Sequence, residues 1–573
     1  MLLEKLREYT FRPDLNLPPL GYNSTPIRWL IKLDQEGNFL GFITTSSGRK
    51  ADRGKFFLAP AVMKTSGVRA SLLVGNGEYV LGLPRAASKP GRVAQCHKAF
   101  VQEVRDCAAA TGEAAVQAVL RFLEAGNLAA LPLPEDFNPE MNLSFQVEDL
   151  LPIDLPGVRR YWAQKQQGGP QPEKDTCLVC GQTCRAEDRH PVKIKGIPGG
   201  QPSGMALVSA NAPAFESYGL KASHIAPVCL DCAERYAKAV NALREREDSR
   251  LVVGPLLYLF WTRQDTGFNV AALFSQPRPE EVKELLRAAA KGRAYTAVDA
   301  EAFYTVALAA SGGRVVVRDW LETTLGEVKG HLARWFLLQR LVDWDGSEGP
   351  PLGLFALSRS LTPARGNFQR DLPPNAPRAL LKVALQGGAL PYWLLFQALK
   401  RNRAEQALNR PRAALIKMVL LSQEKSFQED AMVRLDEDNL KEAYLLGRLL
   451  AVLEQVQMLA VSPKATLIDR FYGTASTAPA SVFSRLLKGA QAHLGKLRKE
   501  RPSAYYALQE RLEDILGKLS DFPKVLSLED QGWFSLGYYH QRAWDRAQAR
   551  ARKEAGEAVL EEELIISEPE EQD

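Results

Sequence analysis

Four cysteines fall in two pairs of identical spacing, Cys177-Leu178-Val179-Cys180 and Cys229-Leu230-Asp231-Cys232. A C-x-x-C turn aims both sulfurs at one point, and two such turns supply four thiolates to one zinc. A metal held by Cys177, Cys180, Cys229 and Cys232 has no position left for water. A structural zinc is therefore expected rather than a catalytic one. The 48 residues between the pairs exceed the usual ribbon interval, and Cys184 and His190 are spare donors within or beside that span. Redox-active or inert thiols are the competing reading.

The segment between the pairs reads Lys193-Ile-Lys195-Gly196-Ile-Pro-Gly199-Gly200-Gln201-Pro-Ser-Gly204, followed by Asn211 and Phe215-Glu-Ser-Tyr-Gly219. It has no apolar core of its own, so a zinc pinning both ends would have to hold it. Gly199 and Gly200 allow the main chain close to a phosphate or base edge, Gln201 offers an amide, and Lys193 and Lys195 suit phosphate. A loop packed against a neighbouring protein is the bland alternative.

Two further clusters have the same chemistry. Lys64, Thr65, Ser66, Arg69 and Asn76 combine cations with short hydrogen-bonding side chains on turns, although strand-capping turns with Asn76 in a left-handed backbone would read alike. Between Pro479 and Pro502 a helix is expected. At ~100° per residue it gathers Phe483, Leu486, Leu487, Ala490, Leu494 and Leu497 on one side, and Arg485, Lys488, Lys496 and Lys499 opposite, with no acid in the stripe. Lys400-Arg-Asn-Arg403, Arg410, Arg412 and Lys417 add a second basic stretch. Together they suit an electrostatic groove for single-stranded nucleic acid, and a merely solvated helix face is the alternative.

Charge agrees. The net charge is +6 over 573 residues, but Glu554–Asp573 holds nine acids and no base, so the preceding residues carry +15. A basic body with an acidic tail favours a polyanionic partner. Seven cysteines, four of them paired, suit a reducing compartment. The apolar run Leu251–Trp261 is broken by Gly254 and Pro255, and Met1–Arg12 has no leader-like run, so a soluble cytoplasmic protein is expected.

These residues need a scaffold, and hydrophobic periodicity predicts an α+β one. Expected strands are Ile27–Lys32 and Asn38–Thr44 around a turn at Asp34, then Ser71–Val74, Leu251–Trp261, Phe303–Ala309 and Arg314–Arg318. Expected helices are Leu2–Tyr9, His97–Ala110, Glu113–Ala125 and Glu280–Lys291. Breaker-rich stretches around 345–351 and 371–377 mark a domain connection. Beyond them, the stripes Leu445, Leu449, Leu453, Val456, Ala460 and Tyr505, Leu508, Leu512, Ile515, Leu519 predict helices. The reading is a β-rich N-terminal domain (1–345) with a zinc-braced insertion (about 170–235), a linker (346–378) and a C-terminal helical bundle (379–573).

No phosphate-loop or zinc-protease motif is present, and the six histidines are scattered. A non-catalytic protein is expected. The competing classes are a free-standing zinc-ribbon nucleic-acid factor and a metal-dependent nuclease.

A series of motifs, in order along nearly the whole chain, resembles the type I-C CRISPR Cascade large subunit, the Cas-eight-c family. It comprises Pro18-Pro-Leu-Gly-Tyr22, Lys64-Thr-Ser-Gly67, Tyr79-Val-Leu-Gly82, the Cys177 knuckle, Gln201-Pro-Ser-Gly204 and Ala214-Phe-Glu-Ser-Tyr-Gly219. Phe303-Tyr, Arg314-Val-Val-Val-Arg318, Tyr444-Leu-Leu-Gly-Arg448 and Gln531-Gly-Trp-Phe-Ser-Leu-Gly-Tyr-Tyr-His-Gln-Arg542 complete it. The resemblance implies a non-catalytic antiviral-defense subunit working with CRISPR RNA, Cascade backbone and small subunits, and the Cas-three helicase-nuclease. It would recognise the protospacer-adjacent motif in double-stranded DNA, promote the R-loop and hold the displaced single strand. Lys64, Thr65, Ser66, Arg69 and Asn76 would then read the motif, and Gly199, Gly200 and Gln201 would form a wedge. It further implies that 432–573 is also translated separately from Met432 as the small subunit.

Overall fold

The computed structural model describes residues 1–566 except 16, 47–51, 63–67, 86–87, 127, 168–174, 185, 187–188, 211, 291–297, 374, 425–427 and 429. Lys64, Thr65, Ser66 and Asn211 lie outside the described residues. The chain is mixed α+β and divides into two compact units. The first comprises Met1–Arg246, Arg263–Asp265 and Val306–Trp320, and the second Glu247–Thr262, Thr266–Thr305 and Leu321–Asp573.

The first unit runs α1 (Leu2–Tyr9), β1 (Tyr22–Ile27), β2 (Trp29–Leu33), β3 (Phe39–Thr44), β4 (Lys55–Pro60), β5 (Gly75–Asn76), α2 (Gly77–Val80), α3 (Pro90–Thr111) and α4 (Ala114–Glu124). β6 (Asn142–Val147), α5 (Pro156–Gln167), β7 (Asp175–Thr176), β8 (Thr183–Cys184) and α6 (Leu230–Glu245) follow. Its main sheet has the order β3-β2-β6-β5. β2 runs antiparallel to β3, with Leu30 opposite Ile43, and parallel to β6, with Ile31 opposite Phe145. β1 and β4 form a separate antiparallel pair.

More of this unit is helix than strand, which corrects the β-rich expectation. The parallel step from β2 to β6 needs a long crossover, and α3 and α4 occupy it. Phe100 of α3 and Phe122 of α4 pack their rings on Phe145 of β6, with centroids 6.4 and 6.2 Å apart. Each such fully buried aromatic is worth ~1.5–3 kcal/mol. Ser71–Val74 is not a strand, because Leu73 takes φ +58 and breaks the extended run before Gly75.

The second unit opens with β9 (Arg250–Val253) and β10 (Leu256–Thr262), which pair antiparallel with Leu256 opposite Val253. The single apolar run expected there is thus a hairpin folded at Gly254 and Pro255. α7 (Val270–Ser275) and α8 (Pro279–Ala290) precede the hairpin strands β11 (Ala302–Ser311) and β12 (Arg314–Thr324), whose residues are shared between the units. The rest is helical: α9 (Leu325–Gln339), α10 (Leu354–Arg359), α11 (Phe368–Asp371), α12 (Ala376–Gln386), α13 (Tyr392–Glu405), α14 (Arg410–Ser422), α15 (Glu442–Val461), α16 (Leu467–Ala475), α17 (Phe483–Glu500), α18 (Pro502–Lys518) and α19 (Leu528–Ile566).

The stretch 346–378, read as a linker, carries α10 and α11 and buries Leu354, Leu357 and Leu361 inside this unit. α15 has the length and hydropathy of a membrane span, yet most of it is buried at the centre of the bundle, where α17, α18 and α19 pack around it. Phe483, Leu486, Ala490, Leu494 and Leu497 form the buried face of α17, as the periodicity predicts.

Candidate metal centre and nucleic-acid interface

The two cysteine pairs, far apart in sequence, converge. One ligand atom from each of Cys177, Cys180, Cys229 and Cys232 lies within 4.8 Å of every other. The Cys180 and Cys229 sulfurs are 3.9 Å apart, close to the ~3.8 Å edge of a tetrahedron with 2.3 Å zinc–sulfur bonds. None of the four is in a disulfide. Local structure builds each half. The turn at Cys177 closes with Gly181 N–H donating to the Cys177 carbonyl at 2.9 Å, and the second pair begins α6. The Cys229 amide donates to Cys177 Sγ at 3.4 Å, tying the two halves together.

The donor set therefore fits zinc, which would supply a rigid crosslink and no open coordination position. Hydrogen bonds, first from Cys232, push the Cys229 thiol well below its ordinary value. Cys184, opposite Asp175 in the β7–β8 pair, lies outside the four-sulfur set. Burial and then the neighbouring thiols push its own thiol up to about 12. His190 is buried and bonds through Nδ1 to the Tyr236 hydroxyl, so it too stands apart from the metal set.

α6 links the cysteine cluster to the loop. Cys232 sits in its first turn, while Asn241, roughly 13 Å further along at 1.5 Å per residue, clamps the loop entry. The Asn241 Oδ1 accepts from Lys195 N at 3.1 Å, and its Nδ2 donates to the Lys193 carbonyl at 3.0 Å. A two-residue bridge closes the loop, with Ile194 N donating to Met205 O at 2.9 Å and Met205 N to Ile194 O at 2.8 Å.

The other side of α6 is anchored by the Pro18-Pro19-Leu20-Gly21 stretch. Lys238 Nζ, in a buried 2.7 Å ion pair with Glu234, donates to the Pro18 and Pro19 carbonyls, and Glu234 accepts from Gly21 N at 3.1 Å. No periodicity or charge argument pointed to this anchor. Its one sequence signal was the breaker-rich motif itself.

The two loop glycines differ. Gly199, at φ +71, has open space where a side chain would go, so its backbone can approach a ligand. Gly200 is a packing residue, since a Cβ there would lie 2.4 Å from the Met205 methyl. Gln201 is exposed on the same loop, as are Lys193 and Lys195.

The remaining expected residues are dispersed. Arg69 is exposed, whereas Asn76 pairs with Asn142 in the main sheet at φ −81, not in a left-handed backbone. Its Oδ1 is buried without a hydrogen-bond partner. In the second unit, Arg485, Lys488, Lys496 and Lys499 are exposed on α17. Glu500 flanks the stripe and lies 3.8 Å from Lys496. Arg485 also stacks over the Phe471 ring at 4.8 Å.

The second basic stretch divides: Lys400 is exposed and Arg401 and Arg403 are half-buried, but its other half is not a surface patch. Arg410, Arg412 and Lys417 are buried along α14 and serve carbonyls of the core. Arg412 Nε donates to Ser360 O at 2.9 Å and its Nη2 to Glu405 at 2.8 Å, while Lys417 Nζ donates to Arg340 O at 2.6 Å. Desolvation pushes the Lys417 ammonium down to about 7.

No curated protein matches the chain. A family model described as CRISPR-associated protein (Cas_Csd1) matches residues 3–545, which takes in both units, the cysteine cluster and the braced loop. The chain therefore belongs to the Cas_Csd1 family of CRISPR-associated proteins.

Proposed function

We propose that this chain is the non-catalytic large subunit of a type I-C CRISPR RNA-guided surveillance complex, acting in the cytoplasm. Guide pairing supplies sequence specificity in such a complex, so this subunit needs a small base-reading surface, a wedge and basic grooves. The observation that carries the reading is a loop clamped to the cysteine-bearing helix in a member of a CRISPR-associated family. An exposed amide, Gln201, and exposed cations, Lys193 and Lys195, stand on a loop held by Asn241 of the cysteine-bearing helix.

In this reading Gln201 and Gly199 part the duplex beside the protospacer-adjacent motif, and the Lys64–Arg69 segment with Asn76 reads that motif. The exposed α17 stripe holds the displaced strand, and the assembled complex recruits the Cas-three helicase-nuclease. Separate translation from Met432 as a small subunit belongs to the same proposal. Met432 is buried at φ +55, and α15 through α19 follow it.

The test is a pull-down of the tagged chain from its host, followed by DNA binding. Copurification of guide RNA and backbone subunits, with motif-dependent binding of duplex DNA, is expected. Divalent-ion-dependent cleavage by the isolated chain, or recovery without RNA and other subunits, would overturn the proposal. Intact-mass analysis of the same material should show a second species beginning at Met432.

A further inference from the structure

Behind the braced loop the first unit forms a half-open cavity of about 730 Å³, within the ~300–1,000 Å³ range of small-ligand sites. Among the described residues its lining combines three cations, Arg189, Lys193 and Lys221, with a single carboxylate, Glu216. None of the three cations forms an ion pair among the described residues. Partial burial, together with the Arg189 charge, pushes the Lys193 ammonium below its ordinary value, as expected where like charges face one space.

His190, 1% exposed, also lines the cavity, and its Nε2 has no hydrogen-bond partner. An orphaned ring nitrogen in a polar cavity is the kind of group that a bound ligand satisfies. Gln201 adds an amide at the wall, its Nε2 3.3 Å from where a Cβ on Gly313 would stand.

The segment from Phe215 to Lys221 has a second peculiarity. Phe215 lies under the Arg314 guanidinium, 3.6 Å from ring centroid to Cζ. Beyond it, a turn closed by Leu220 N–H to Ser217 O at 2.9 Å presents Tyr218, 98% exposed and held at φ +53. An aromatic kept in water on a strained backbone, between two residues that line a cationic cavity, matches the stacking platforms of single-stranded nucleic-acid sites.

We propose that this cavity receives one unpaired nucleotide of DNA, its phosphate held by Arg189, Lys193 and Lys221, with Tyr218 stacking on a neighbouring base. The proposal rests on the DNA-binding reading above and makes it specific. A strand parted at the loop would deliver its first unpaired nucleotide to a site whose wall includes the same Gln201.

Fluorescence anisotropy of the full chain at fixed salt, comparing a duplex carrying one unpaired nucleotide with the fully paired duplex, tests it. Wild type should prefer the bulged duplex by about tenfold, the scale of one base–aromatic stack. Tyr218→Ala and Lys221→Ala, both at exposed positions, should reduce that preference towards unity while leaving paired-duplex affinity within about twofold. A 5-iodouracil at the unpaired position should crosslink wild type within residues 189–223. A preference unchanged in both variants, or crosslinks mapping elsewhere, overturns the proposal. Wild type binding the paired duplex without favouring the bulge removes the cavity assignment alone. Failure of the assembled complex to bind any duplex removes the DNA-recognition reading instead.

Discussion

Gly447 of α15 and Gly537 of α19 sit at one crossing and admit each other's helix backbone. A Cβ on Gly447 would lie 2.0 Å from the Phe534 carbonyl oxygen, and one on Gly537 would lie 2.0 Å from the Tyr444 carbonyl oxygen. Both belong to motifs that resembled a known family, so at this crossing those motifs encode packing. Their polar residues face inward as well. Tyr444 bonds His540 at 2.9 Å, Arg448 bonds Gln541 at 3.2 Å, and Tyr538 bonds Glu454.

Gly447→Ala and Gly537→Ala should each destabilise the second unit by about 2–3 kcal/mol, because the clash is with backbone that cannot rotate away. Gly489→Ala on α17, where a Cβ meets nothing within 4 Å, should stabilise by ~0.5–1 kcal/mol. Urea denaturation followed by circular dichroism distinguishes the signs, and a neutral Gly447→Ala would refute the close crossing.

Purified chain should carry one zinc, measured by elemental analysis. Cys177→Ser and Cys232→Ser should each abolish the metal and expose the 193–204 loop to limited proteolysis, whereas Cys184→Ser should retain it. Zinc loss on Cys184→Ser would mean that the ligand set is different.

Gln201→Ala should slow duplex opening, read by a 2-aminopurine base beside the motif, while leaving initial binding largely intact. An exposed amide can replace hydrogen bonds only after a base pair has separated. Equal loss of binding and opening would contradict the wedge role.

Lys488→Glu with Lys499→Glu should weaken single-stranded DNA binding and flatten its salt dependence. Each phosphate contact removed lowers the slope of log K against log salt by ~0.7. An unchanged slope would leave α17 as a solvated face.

Stability should fall on mild acidification. Burial, then the Lys417 charge, pushes His540 down to about 3, so it stays neutral in the folded chain while the unfolded chain takes up a proton below about 6.5. The unfolded state thus binds more protons between those values, and stability is lost as pH falls through that window. Between pH 6.5 and 5 the loss amounts to about 2 kcal/mol. Lys417, lowered from above 10 to about 7, exerts its pH effect above that window. Urea titrations of wild type and His540→Gln should differ in this slope; parallel curves would show that His540 does not cause it.

Local chemistry was legible in the chain. The cysteine spacing singled out the four thiols that converge, and helical periodicity located α17 and its buried face, because both depend on near neighbours. The linker reading of 346–378 failed for a comparable reason. Prolines and glycines mark turns wherever they occur, whereas Leu354, Leu357 and Leu361 are buried by partners distant in sequence.

By itself, the amino-acid order determined the paired cysteines, the amphipathic helices and the family motifs, which are set by spacing along the chain. Only the tertiary structure decided which cations face water: Lys193 is exposed on the loop, while Arg412 and Lys417 vanish into the core. It alone placed Asn241 across the loop entry, His190 and Tyr218 on the cavity wall and its bordering turn, and Gly447 against the α19 backbone. Charge and size are properties of a residue, but burial and contact arise when segments hundreds of residues apart compete for the same space.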